Sequence, residues 1–414
     1  GAAAGLPLDG VLESVTVGMG STLGSIAILV GLGAMFGRML EASGGAEALA
    51  QALLRRLGEA RAPWALGLAG FLIAIPVFFD VGFIVLVPTV YGLTRKSGRP
   101  LVYYGLPLLS GLAVTHAFIP PTPGPIAVAG LLGAQPGWVI LFGAAAGLPA
   151  MVLAGPLLAR VAARWVPAGV PEYMQAGQDE TRADAGPAPP LPSVTAVGLL
   201  TAVPLVLIVV GSVARTVLVE HDPTRAALAF AGHPFVALLV TTLLAFHVLG
   251  TRRGMSREQV QRIATKALEP AGVIILVTGA GGVLKQILID SGVGKLLADA
   301  LQASALPPIL VAFAVAALLR LMQGSATVAM LSAAGLVASL LPAQGLSQPT
   351  LALLVVAIAA GATTASHVND SGFWLVNRYF GLSVPDTLRT WTVATTVIAL
   401  VGLGITLGLG ALIG

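Results

Sequence analysis

The sequence predicts an all-α polytopic membrane protein made of two inverted repeats, each with a re-entrant helical hairpin and a broken transmembrane helix. Three observations predict it. Of 414 residues, 56% are apolar and 10% charged, against about 45–50% and about 25% in ordinary soluble domains. The mean hydropathy is +0.93, and apolar runs of about 20 residues, the length that crosses a bilayer as a helix, recur along the chain. Finally, segments rich in Pro, Gly and polar residues interrupt some of these runs, in the same order in both halves. This composition excludes a disordered chain. The absence of cysteine excludes a disulfide framework, an iron–sulfur cluster, a thiolate zinc site and a cysteine nucleophile.

Plain spans are expected near 17–40, 138–160, 193–214, 232–250, 268–289 and 391–413. Two other runs are too long for one straight crossing. Residues 64–94 carry one charge, Asp80, and residues 306–341 carry one charge, Arg320. The shorter run would make a helix of roughly 46 Å against a hydrocarbon core of about 30 Å. A hairpin that enters and leaves on one side accounts for the excess. Each run has a break near its middle, Ile75-Pro76-Val77-Phe78-Phe79-Asp80 in one and Gln323-Gly324-Ser325-Ala326-Thr327 in the other. Residues 101–133 and 350–376 are expected to be broken spans. The first contains Pro120, Pro121, Pro123 and Pro125, which a regular helix cannot hold. The second contains Ser366-His367-Val368-Asn369-Asp370-Ser371-Gly372. Irregular backbone is tolerated at membrane depth where it is buried in protein or lines a wet cavity.

Cytoplasmic loops carry an excess of Lys and Arg. With the loops at 51–61 and 94–100 on the cytoplasmic side, this threading puts 17 of the 22 cations inside. That distribution accounts for the basic pI of 9.7 without a nucleic-acid partner. The Pro-, Ala- and polar-rich stretch 166–192 reads as a cytoplasmic linker. The expected division is a first repeat over 1–165 with its hairpin near 64–94, the linker, connecting helices and a basic loop over 193–266, and a second repeat over 267–414 with its hairpin near 306–341. Residues 33–53 and 281–301 share eight identities in 21 at an offset of 248. Each copy precedes a hairpin run and then a broken span with a histidine, His116 or His367. The first helix of one copy runs inward and that of the other outward, so the repeats are inverted. Inverted repeats with paired broken helices point to a secondary transporter with its site near the midplane. The chain begins with Gly1 rather than Met, so the true N-terminus is expected to be missing or processed.

The candidate chemistry lies at the breaks. Asp80 stands alone in an apolar run, where an ionised acid is costly; it reads as a proton-coupling carboxylate or a structural hydrogen-bonding group. Arg320 can hold a carboxylate through a two-pronged hydrogen bond, or form an ion pair with Asp80 or Asp370 that only holds the fold. Gly324, Ser325 and Thr327 offer hydroxyls and amides where the returning arm begins, and helix N-termini favour anions. Asn369 can donate to and accept from a polyhydroxylated chain, while Asp370 or His367 could carry a proton or cap the half-helices. His116, Thr122 and Gly124 are the first-half counterparts, with His116 a further proton-carrier candidate. No nucleotide-binding or metal motif is present, so no cofactor and no enzyme activity is expected. An integral-membrane enzyme lacks a nucleophile–base pair, and an anion channel would show a continuous polar lining.

The strings GSTLGSIAILVGLGAMFGRMLEASGGA, FFDVGF, LAVTHAFIPPTPGP, LLRLMQGSATVA and SHVNDSGFWLVNRYFGLSV resemble the gluconate permease (gluconate:proton symporter) family over nearly the whole chain. The resemblance implies proton-coupled uptake of gluconate or a related small sugar-acid anion by alternating access. It implies the bacterial inner (cytoplasmic) membrane as location, the lipid bilayer as a partner and a homodimer. Other small hydroxy acids, D-amino acids and sodium coupling are the alternatives. The sequence departs from the family's FFEVGF at Asp80 and from its PPHPGP at Thr122. The second departure leads to the expectation of an altered preference among sugar acids.

Overall fold

The computed structural model describes residues 6–172, 190–219, 222–292, 306–340 and 345–413. Every regular element among them is helical. The long α1 (Leu8–Ala42) is followed by the short α2 (Gly45–Leu57). The first over-long run is then two helices, α3 (Ala62–Ile73) and α4 (Phe79–Ser97). Pro76 sits between them, and Phe78 has extended backbone at φ −61°, ψ 148°. The first broken span is α5 (Leu101–Phe118) and α6 (Pro123–Leu132). Ile119 leaves the helix in an extended conformation. Pro123 restarts it at a position where the missing N–H costs nothing.

The chain continues through α7 (Pro136–Val152), a π-helical turn over Leu153–Leu157 and α8 (Leu158–Trp165). Next come α9 (Val194–Val217), α10 (Pro223–Ala231), α11 (Pro234–Ala245) and α12 (Arg257–Asp290). A capping box between Ser256 and Gln259 starts α12. The second over-long run is α13 (Pro308–Gln323) and α14 (Ala326–Leu340), and the second broken span is α15 (Gln348–Thr363) and α16 (Ser371–Phe380). The short α17 (Val384–Thr387) and a further π-helical turn, Leu388–Thr392, lead into α18 (Val393–Ile413).

Among the described residues, six stretches are long and apolar enough to cross a membrane: Leu101–Leu132, Pro136–Trp165, Val194–Val217, Pro234–Arg253, Arg257–Asp290 and Val384–Ile413. With α1 they cover every expected plain span and the first broken one. Large apolar side chains such as Leu199, Val206, Leu276 and Leu400 are exposed on their outer faces, where a bilayer takes the place of water. The protein is therefore a multi-pass membrane protein. Parts of the expected linker (173–189), of the second sequence copy (293–301) and the end of the second hairpin run (Leu341) lie outside the described residues.

The order helix, break, helix, broken span occurs twice, and equivalent helices pack alike. α3 closes on α5 through glycines: a Cβ at Gly70 would lie 2.4 Å from the Leu108 carbonyl oxygen, and one at Gly111 2.1 Å from that of Gly67. α13 closes on α15 in the same way, with Gly361 against the Phe313 carbonyl at 2.2 Å. Small residues permit such close approach where lipid offers no hydrophobic drive between helices. α1 runs against α12, with Gly18 facing Gly282.

The two sets are joined by exchange. α6, from the first, packs on α14 of the second, Gly124 against the Met330 sulfur. α16, from the second, packs on α4 of the first. There the Tyr91 hydroxyl donates to the Tyr379 carbonyl at 2.7 Å, and the Phe83 ring meets the Tyr379 and Phe380 rings, both at 5.5 Å. Nearly every side chain of α5 and α15 is buried, so the two broken spans form the centre of the molecule.

Candidate functional site

Three of the four breaks converge on one central cavity of about 240 Å³. Three helices begin at its wall: α4 at Phe79 and Asp80, α14 at Ala326 and Thr327, and α16 at Ser371 and Gly372. Unsatisfied N–H groups and the helix dipole make each of these ends favourable to negative charge.

Arg320 reaches the cavity from the last turn of α13 and is 4% exposed. One terminal nitrogen of its guanidinium, Nη2, donates to the Asp370 carboxylate. The other, Nη1, is buried and has no hydrogen-bond partner among the described residues. A buried guanidinium nitrogen without an acceptor is expensive, and here it belongs to a residue that lines an anion-friendly cavity.

Asp370 is fully engaged. Besides Arg320, its carboxylate accepts from the Ser366 hydroxyl and from the Gly372 amide at 3.1 Å, which caps α16. Ser366 in turn accepts from the Trp391 indole N–H at 2.8 Å, and the Trp391 ring stacks on Phe79 at 5.5 Å. Thr395 receives the Ser366 amide at 3.1 Å. This chain of contacts ties the end of α13, the start of α4, the second broken span and the start of the last span to one another.

Asp80 is different. It stands in the first turn of α4, exposed to the cavity, and has no ion pair with any described residue. His116 forms part of the wall. Its Nδ1 is buried without a hydrogen-bond partner among the described residues, and its ring lies 6.0 Å from that of Phe78. Ser325 and Thr327 line the cavity directly.

Of the residues singled out from sequence, Arg320, Ser325, Thr327, Asp370, Asp80 and His116 therefore meet in one place. The other five stand behind the wall. Gly324 takes φ +80° at the end of α13, and a Cβ there would lie 2.1 Å from the Asn369 carbonyl oxygen. Asn369 donates its amide to the Leu321 carbonyl at 2.9 Å, bracing the turn between α13 and α14. His367 Nδ1 pairs with the Ala365 carbonyl at 2.9 Å. Thr122 is buried, donates to the Ile119 carbonyl at 2.6 Å and faces a separate space of about 10 Å³. Gly124 packs on Met330.

Sequence reasoning passed over Trp391, Thr395, Thr363 and Phe79, all of which line the cavity. A signal for two of them was present: Trp391 and Thr395 lie four residues apart and so share a face at the start of the expected last span.

Residues 1–413 match a family model described as GntP family permease. The low-affinity gluconate transporter of Escherichia coli K12 is 40% identical over 398 residues, which are 96% of this chain and 88% of that one. The inner membrane permease YgbN of the same strain is 43% identical over 410 residues, 98% of this chain and 89% of that one. Among solved structures, the YdaH transporter of Alcanivorax borkumensis superposes with a TM-score of 0.70, covering 98% of this chain and 90% of that one at 19% identity. The likeness to YdaH is one of fold.

Proposed function

The chain belongs to the GntP permease family, whose members are transporters rather than enzymes, and on that premise we propose that it takes up gluconate or a related small sugar-acid anion with a proton, by alternating access. The observation that carries the reading is the unpartnered, buried Nη1 of Arg320 beside a cavity where three helices begin. A carboxylate placed there completes the guanidinium's hydrogen bonds. The hydroxyls of Ser325, Thr327, Thr363 and Thr395 suit the hydroxyl-bearing remainder of a sugar acid.

Proton coupling follows from charge. Arg320 and Asp370 cancel each other, so Asp80 is the net charge left among the cavity's side chains. An anion and an ionised Asp80 repel one another across a space of about 240 Å³. A proton on Asp80 removes that repulsion, so anion and proton favour each other's binding. Asp80 is the proton carrier on this reading, and His116 is the neighbouring alternative on the same wall.

The two sets of helices are inverted repeats with re-entrant hairpins at α3–α4 and α13–α14. The reciprocal packing of α6 on α14 and α16 on α4 supports this, as does the distribution of cations along the chain. Reconstitution into proteoliposomes tests the reading. Labelled gluconate should accumulate above equilibrium when a pH gradient, acid outside, is imposed. A sodium gradient at equal pH should give equilibration only. Accumulation driven by sodium and not by pH would replace the proton as coupling ion, and no gluconate entry under any gradient would remove the substrate assignment.

A further inference from the structure

A second, larger space of about 500 Å³ lies between α1, α12 and the start of α4. Its lining includes Arg38, Glu41, Lys266 and Glu269. Arg38 pairs with Glu41 at 2.6 Å, while Lys266 and Glu269 are exposed and form no ion pair with any described residue. Four charged side chains in one recess mean that water enters it. Arg38 and Lys266 belong to the set of cations that the positive-inside distribution puts on the cytoplasmic side. The recess has two cations and two acids, so it offers an anion passage without a trap, as a release path requires.

This recess and the central cavity share one lining residue, Phe78. Its neighbours fall on separate sides. Phe79 lines the central cavity and stacks on Trp391, whereas Val77 and Val81 line the recess. Phe78 is half-buried at the extended residue that begins α4, with His116 behind its ring. The break that carries it is clamped from α1, because a Cβ at Gly37 would lie 1.9 Å from the Pro76 carbonyl oxygen. An apolar ring held between two wet, charged spaces is a barrier to a hydrated anion.

We infer that the recess is the cytoplasmic vestibule of the transport path and that the Phe78 ring is the partition closing the central cavity to it. The inference rests on the transport reading, but it makes a claim about access that needs no substrate to test. The chain has no cysteine, so a single introduced thiol reports its own position. Val81→Cys places a thiol in the recess and Ser325→Cys one in the central cavity. A membrane-impermeant maleimide is applied to inside-out vesicles, which present the cytoplasmic face, without substrate or ion gradient.

With Phe78 intact, Val81→Cys is expected to react and Ser325→Cys to react slowly. Adding Phe78→Ala should raise the Ser325→Cys rate several-fold and leave the Val81→Cys rate unchanged. Phe78→Tyr, which keeps a ring, should leave Ser325→Cys slow. If Phe78→Ala does not reach the membrane, Phe78→Leu serves in its place, and the Val81→Cys signal reports whether the protein is intact. The assignment of the recess is overturned if Val81→Cys reacts only from the opposite face. The partition is overturned if Ser325→Cys reacts as fast as Val81→Cys with Phe78 intact, or if removing the ring changes nothing. A protein that fails the gluconate assay yet shows this labelling pattern would have the partition and a different substrate.

Discussion

Arg320 and Thr122 show how differently two side chains of evident sequence interest are used. Arg320 spends one nitrogen on Asp370 and keeps the other for the cavity. Arg320→Ala would strand a buried carboxylate, a loss of about 3–5 kcal/mol, and so would confuse binding with folding. Arg320→Lys keeps the charge and loses the fork. One charge-assisted hydrogen bond is worth about 1.5–3 kcal/mol, so the KM for gluconate should rise roughly 10- to 150-fold with the protein still in the membrane. An unchanged KM in Arg320→Lys would mean that Nη1 does not meet the substrate. Thr122 is the opposite case. Its hydroxyl is bound to Ile119, and it faces a space of about 10 Å³ rather than the central cavity. Thr122→His should therefore leave the ranking of sugar acids in a competition assay unaltered while lowering thermal stability, overpacking costing about 1–3 kcal/mol. A changed ranking would put position 122 in contact with substrate. Charged residues were legible in the sequence because a lone Asp or Arg in an apolar run must have a reason. Phe78, Phe79 and Trp391 were not, because an aromatic among apolar residues looks the same whether it lines a cavity or fills a core.

At the scale of elements, the cavity exists because helical runs are interrupted, and the interruptions have local causes. Prolines stop α5 and start α6. A left-handed glycine, Gly324, ends α13. Asp370 caps α16 through the Gly372 amide. These causes were visible in the sequence as run lengths too great for the bilayer and as clusters of Pro, Gly and polar residues. Where the freed groups point was not visible, because that depends on the close approach of other helices. Gly324 had the look of an anion-binding glycine, and what the structure adds is that the α13–α14 turn seats directly against Asn369 there. Gly324→Ala meets both a left-handed backbone, costing about 1–2 kcal/mol, and a carbonyl oxygen 2.1 Å from the new Cβ. The expected result is a lower melting temperature in detergent and loss of transport. Asn369→Ala, which removes the brace but not the space, should weaken both to a smaller degree. Equal and negligible effects from the two would separate the turn from the site.

For the whole molecule, the proposed proton coupling requires one titrating group to be linked to movement of an anion across the membrane. The two acids that line the cavity are not equivalent. Asp370 is held by Arg320, Ser366 and the Gly372 amide, and through Ser366 to Trp391 and so to Phe79 at the start of α4. A proton on Asp370 would break that chain in every cycle. Asp80 has no such ties among the described residues, so it can gain and lose a proton while the framework stays whole. Asp80→Asn fixes the uncharged state without the titration. Substrate exchange at equal pH should survive, because an anion still finds Arg320 and the helix ends. Accumulation driven by a pH gradient should disappear, because nothing then links proton flow to the anion. Asp370→Asn should instead lower stability and impair both processes together, a buried guanidinium having lost its partner. Two measurements on each mutant in proteoliposomes, counterflow at equal pH and uptake against a gradient, give distinct patterns for the two roles. If Asp80→Asn still concentrates gluconate and Asp370→Asn exchanges without concentrating it, the proton travels on Asp370. If both still concentrate it, His116→Gln is the next mutant to measure, since its buried Nδ1 lies on the same wall.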